Sequence, residues 1–130
     1  MFLPIKNADG TAAPWEYLPC GAITPKFGMA MIQTAGNLAI ATGSNKPTYI
    51  SMVEKTSPCV AGEIIPVIRV DSDTIFETTF SAAATAIKLG NKVTLHASNG
   101  LQVTATTADG VAEVVSMEGT TSGSKCCVRF

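Results

Sequence analysis

The chain has 130 residues, with 15% charged, 46% hydrophobic, mean hydropathy +0.29 and net charge −1. That length suits one domain with a core of its own, and the charged share falls well below the roughly 25% of ordinary soluble domains. No apolar run approaches the ~20 residues of a membrane-spanning helix. The nine basic residues are scattered rather than clustered, which disfavours nucleic acid as a partner. An apolar excess of this kind calls for cover by oligomerisation or by docking on a large surface.

The segment "MFLPIKNADGTAAPWEYLPCGAITP" comes first. Pro4, Pro14, Pro19 and Pro25 suppress helix and favour extended stretches. Asn7–Gly10 reads as a turn of the Asp-Gly type. A basic start and a continuous apolar core are both missing, so the segment does not read as a secretory signal, and synthesis in the cytosol is expected. Residues 1–25 thus read as an extended N-terminal arm. Phe2, Leu3, Pro4, Ile5, Trp15, Tyr17 and Leu18 are its candidate partner-binding residues, with Trp15 and Tyr17 sharing one face of an extended chain. Two readings of the arm stand: it covers one end of its own barrel, or it fastens to another subunit.

From residue 26 onward the pattern is all-β. Val, Ile and Thr make up 36 of the 130 residues, in short runs bounded by Gly, Asn, Asp or Pro. Strands are expected at Met29–Gln33, Leu38–Thr42, Thr48–Val53, Ile64–Val70, Ile75–Phe80, Val93–His96, Leu101–Thr106, Ala112–Met117 and Lys125–Phe130. Pro66 places its strand at an edge or a bulge. In "DSDTIFETTF", Phe76, Thr78 and Phe80 share one face and Ile75, Glu77 and Thr79 the other, with the apolar side toward the core. Ser81–Lys88 is the one helix candidate, with Ser81 as its cap, although a loop fits it equally well.

An internal duplication organises these strands. Lys26–Thr42 ("KFGMAMIQTAGNLAIAT") aligns with Lys88–Thr106 ("KLGNKVTLHASNGLQVTAT"), Ile50–Glu54 with Val115–Glu118, and Ala61–Val70 with Ser122–Phe130. The last match sets Arg69 against Arg129. Matches in the same order, about sixty residues apart, predict one barrel or sandwich domain over 26–130. It is made of repeats 26–70 and 88–130 joined by 71–87, which also removes most exposed strand edges. Gly28 and Gly90 fall where each repeat turns into its first strand, at a geometry that disfavours a Cβ.

Catalytic constellations are not legible. His96 is the only histidine, with no orienting group assignable beside it. Asp71 and Asp73 fit a turn that bonds its own backbone better than a cation site. Arg69 and Arg129 fit ion pairs on neighbouring strands better than a bound anion. The four cysteines, Cys20, Cys59, Cys126 and Cys127, lack the spacing of a zinc site and read as free thiols. The expectation is a protein that is no enzyme and takes no cofactor or metal.

The stretches "FLPIKNADGTAAPWEYLP", "KFGMAMIQTAGNLAIATGSNKPTYISM", "AGEIIPVIRV", "FETTFSA" and "KLGNKVTLHASNGLQVTATTADGVAEVVSMEGT" cover nearly the whole chain. They resemble a family of small proteins found beside the major capsid protein in tailed phages and prophages of Gram-positive bacteria. Its members are similar to capsid decoration (cement) proteins of the lambda head decoration group. The resemblance implies a β-rich homo-oligomer, a trimer for preference, on the outer capsid surface, with the major capsid protein as its partner. It implies a terminal arm that joins the lattice, and shell stabilisation as the function. The adjacent Cys126 and Cys127 have no explanation in it. The competing reading is a small β-barrel module for carbohydrate or peptide, for which Trp15, Tyr17 and Tyr49 are the available aromatics.

Overall fold

The structure, a computed structural model, describes residues 1–7 and 9–130; Ala8, inside the expected Asn7–Gly10 turn, and the Lys6 side chain lie outside the described residues. Ten strands run in chain order: β1 (Leu3–Lys6), β2 (Trp15–Cys20), β3 (Ala30–Thr34), β4 (Asn37–Ile40), β5 (Tyr49–Ser51), β6 (Glu63–Arg69), β7 (Ile75–Thr79), β8 (Lys92–Val93), β9 (Ala112–Met117) and β10 (Lys125–Arg129). Five of them close a barrel in the order β2-β4-β3-β5-β6, and the other five form a second sheet, β1-β7-β10-β9-β8. The fold is all-β, as the short β-branched runs predict.

The duplication extends further toward the N-terminus than the alignment places it. β2 pairs antiparallel with β6 over six residues, and β7 pairs likewise with β10. Cys20 meets Leu38 in a parallel bridge, and Phe80 meets Val103 in the same way. The Gly28 N–H donates to the Ser51 carbonyl and the Gly90 N–H to that of Val114, both at 2.8 Å. β2 and β7 are therefore equivalent first staves. Trp15–Cys20 belongs to the barrel rather than to an arm, and Ile75–Thr79 belongs to the second repeat rather than to a joining segment. Of the expected arm, β1 and the chain leading from it to Trp15 stand outside the duplication.

The two arginines do not superpose. The ladders pair Ile50 with Ile68 and Tyr49 with Arg69, whereas Glu113 pairs with Arg129. Lys92↔Glu113 repeats Ala30↔Ile50, so Arg129 takes the station of Ile68 and Phe130 that of Arg69. β10 runs along β7 without a break, as β6 runs along β2, so the closing strands correspond without the gap that aligning the two arginines needs; the one-residue irregularity lies in β9, where Val115 is left unpaired between Val114 and Ser116.

Two apolar clusters hold the molecule. Cys20, Met29, Met31, Leu38, Tyr49, Cys59, Ile65 and Val67 fill the closed barrel. The larger cluster joins the outer faces of β3, β5 and β6 (Ala30, Ile50, Ile68) to the inner face of the second sheet (Phe76, Val114, Cys126, Val128). Strands buried on both faces lose the simple apolar–polar alternation. Phe76, Thr78 and Phe80 do turn inward as expected.

The second hairpin is less regular than the first. Only Lys92–Val93 is strand, with Leu95↔Val103 as a single bridging pair. Here the backbone serves the neighbouring barrel: Ala30 N–H donates to the Gly100 carbonyl at 2.7 Å and Leu95 N–H to that of Gly43 at 2.8 Å. Ser81–Lys88 is likewise a loop, because Ser81 N–H is spent on the Val103 carbonyl and Ala84 N–H on that of Thr120. Pro66 lies inside the closed barrel rather than at an edge. Its carbonyl accepts from Met52 N–H at 3.0 Å, one step past the last β5–β6 pair, Ser51↔Val67. An antiparallel residue directs N–H and C=O to the same side, so the missing donor falls where β5 has ended.

Candidate docking surface

The chain's first residues divide between core and surface. Phe2 is fully buried, with its ring edge-on to Phe130 at 5.5 Å between centroids and its N–H bonded to the Gly28 carbonyl at 2.7 Å. This corrects its expected role as a partner anchor, since a large apolar side chain is most stable where the two sheets meet. Leu18 is also turned inward, against the barrel cluster. Leu3 and Pro4 are half-buried on β1, which lies antiparallel along β7 through Leu3↔Glu77 and Pro4↔Phe76. Asn7 Oδ1 accepts from Thr74 Oγ1 at 2.7 Å, holding the end of β1 against the start of β7.

Ile5, Trp15 and Tyr17 remain outside, exposed by 51%, 55% and 66%. Along β2, Glu16, Leu18 and Cys20 turn inward while Trp15 and Tyr17 turn out. Ile64, 58% exposed, joins them from β6, diagonal to Tyr17 across the Tyr17↔Pro66 pair. Trp15 and Ile5 also line a small pocket with Pro4, Ala12, Ala13, Met52, Ile68 and Thr74. The result is an apolar face held by barrel strands β2 and β6 and by β1 of the second sheet rather than by a free arm. Ile64 is the residue that sequence reasoning missed. Adjacent strand residues face opposite sides, so with Ile65 and Val67 inside the barrel "EIIPV" sends Ile64 outward.

The polar surroundings are paired. Arg69 donates from Nε and Nη2 to the two carboxylate oxygens of Glu16 at 3.1 and 3.3 Å, and its guanidinium lies 5.2 Å from the centre of the Tyr49 ring. Glu16 pushes that guanidinium's pKa still higher. Lys55 pairs with Glu63 and holds that carboxyl below its ordinary range. Arg69–Glu16 and Lys55–Glu63 thus neutralise each other in pairs beside this face.

The remaining sequence candidates take other roles, with Asp73 and Arg129 lining one pocket together with Lys92 and Glu113. His96 Nδ1 accepts from Ser98 N–H at 3.3 Å. Asp71 closes a turn through its carbonyl to Thr74 N–H, and Arg129 forks onto Glu113 at 3.0 and 3.3 Å. Burial pushes the Cys20 thiol up to about 12, with the Cys59 thiol adding to it, and burial does the same to Cys126. A thiol so far from its thiolate is a poor nucleophile near neutral pH. Among the described residues, no three His, Cys, Asp or Glu side chains gather as a metal site would need. Nor is any helix among them long and apolar enough to cross a membrane. In comparisons with protein-family models and with curated proteins, no match to the chain was found.

Proposed function

We propose that the chain is a capsid decoration protein of the tailed-phage kind. It binds the outside of the shell through the Ile5–Trp15–Tyr17–Ile64 face, and bridges and stabilises neighbouring major capsid proteins. The observation that carries this reading is the cluster of four exposed apolar side chains, two of them aromatic, on strands fixed in the two sheets and flanked by two neutralised charge pairs. Aromatic anchors on a rigid frame lose little side-chain freedom on binding, and a specific interface of ~1,000 Å² can form around such a centre. Self-association on the lattice, as a trimer for preference, belongs to the same proposal, as does a location on the virion exterior after synthesis in the host cytoplasm. The alternative, a carbohydrate or peptide module, needs polar groups converging beside the aromatics; the Trp15 pocket offers one polar side chain, Thr74.

The test uses purified protein and purified undecorated shells of the phage or prophage that encodes it. Sedimentation should show saturable binding with a fixed ratio to capsid protein. The Trp15→Ala, Tyr17→Ser double variant should lose at least tenfold in affinity while its melting temperature stays close to that of the parent. Full occupancy by this variant, or no binding by the parent, overturns the proposal. Deleting residues 2–18 would be uninformative, since it removes Phe2 and most of β2 from the fold.

A further inference from the structure

The equivalence of β2 and β7 exposes a difference between their edges. On β7, the edge away from β10 is covered by β1 through Leu3↔Glu77, Pro4↔Phe76 and Lys6↔Ile75. The equivalent edge of β2, at Trp15–Tyr17, has no such neighbour among the described residues, since β4 reaches β2 only at Cys20. Directions of the backbone groups follow from the bonds made. The Cys20 carbonyl accepts from Gly62 N–H, on the β6 side, and Gly21 N–H donates to the Leu38 carbonyl, on the β4 side. Alternation then turns Glu16 and Leu18 toward β6, and turns the N–H and C=O of Trp15 and Tyr17 outward. An open edge with two donors, two acceptors and flanking aromatic side chains is a template for strand addition.

We infer that this edge of β2 binds an extended segment of a partner protein as an added antiparallel strand, in the manner of β1 on β7. The inference deepens the docking reading above and rests on it. The register carries over: Tyr17 stands where Glu77 stands, Glu16 for Phe76 and Trp15 for Ile75. Side chains of directly paired residues share a face. Guest residues opposite Tyr17 and Trp15 therefore lie against the aromatic rings and are apolar, as Leu3 is in β1. The guest residue between them turns toward the barrel mouth beside Glu16, where a small residue or a proline fits, as Pro4 does in β1.

The probe is a synthetic peptide with the sequence of residues 1–7, MFLPIKN, titrated into the full chain. Trp15 is the only tryptophan, so its emission should shift to the blue and saturate, with a dissociation constant on the order of 1 mM or tighter. Backbone amide exchange at Trp15 and Tyr17 should be fast without peptide and should slow with it. Tyr17→Pro removes an outward N–H that the β6 ladder does not use, so the fold should persist, checked by circular dichroism, while the amide-exchange response is lost and affinity falls at least tenfold. A peptide N-methylated at alternate amides should fail in the same way. The inference is overturned by an unsaturable response, by a Tyr17→Pro response equal to that of the parent, or by slow Trp15 and Tyr17 exchange in peptide-free protein that migrates as a dimer. The last outcome would assign the edge to a second copy of the chain. Shell binding without peptide binding removes the added strand and leaves decoration standing; peptide binding without shell binding does the reverse.

Discussion

The two halves of the molecule share one strand plan and use it differently. In the first, five strands close around Met29, Met31, Leu38 and Tyr49, and the Trp15–Tyr17 stretch of the first stave has no strand on its outer edge among the described residues. In the second, the hairpin is irregular, its backbone is shared with the neighbouring barrel, and the first stave is covered by β1. Duplication supplies a fold twice but a finished edge once. The asymmetry between equivalent positions is where a function can reside, because the shared plan alone does not require it.

The largest expected break in this comparison is Phe2→Ala. The side chain fills the seam against Phe130, and truncating a buried Phe costs ~3–5 kcal/mol. Chemical denaturation should show that loss in a single transition, and two separated transitions would mean that the halves unfold independently. Next comes a matched pair. Gly28 and Gly90 occupy equivalent turns at φ +71° and +86°, but a Cβ at Gly28 would lie 2.9 Å from the Phe2 nitrogen, while one at Gly90 meets open space. Gly90→Ala should cost about 1 kcal/mol for the left-handed backbone, and Gly28→Ala clearly more, as measured by thermal unfolding. Equal losses would show that β1 yields freely to the added carbon.

The smallest effect is acid sensitivity. The Phe27 N–H and then Lys26 hold Glu54 below the ordinary value of 4.5, Lys55 does so for Glu63, and Arg129 for Glu113. A carboxyl whose folded pKa is depressed stabilises the fold above its unfolded pKa, and that contribution is lost as pH falls through the folded value. Stability should therefore be flat near neutrality and decline below about pH 4.5, with a shallower decline in Glu113→Gln followed by urea titration. The effect stays modest because these groups are solvated.

Much of this was legible in the residues, for physical reasons that differ by region. β9 matches its expected span, Ala112–Met117, because the run is rich in apolar residues including two valines, and Gly110 and Gly119 bracket it. β2 was obscured by Pro14 and Pro19, which look like breakers. In fact Pro14 precedes the strand, and Pro19 directs its absent N–H away from the β6 ladder. The second hairpin fell short of its pattern because Gly43 and Ala30 of the other half compete for its backbone. Trp15 and Tyr17 are both exposed, and their shared face was legible through their alternate spacing. Phe2 was not, since only the three-dimensional seam shows that a terminal phenylalanine has a core to enter.

β1 also sets an order of events. Asn7 and Thr74, which lock this strand to its partner, lie 67 positions apart, and loop closure over such a span is slow. During synthesis the barrel strands β2–β6 emerge before β7 exists, so the first half can close while the opening strand still waits, unpaired, for the second. The pairing of β1 is then a clasp, drawn across both halves by residues made first.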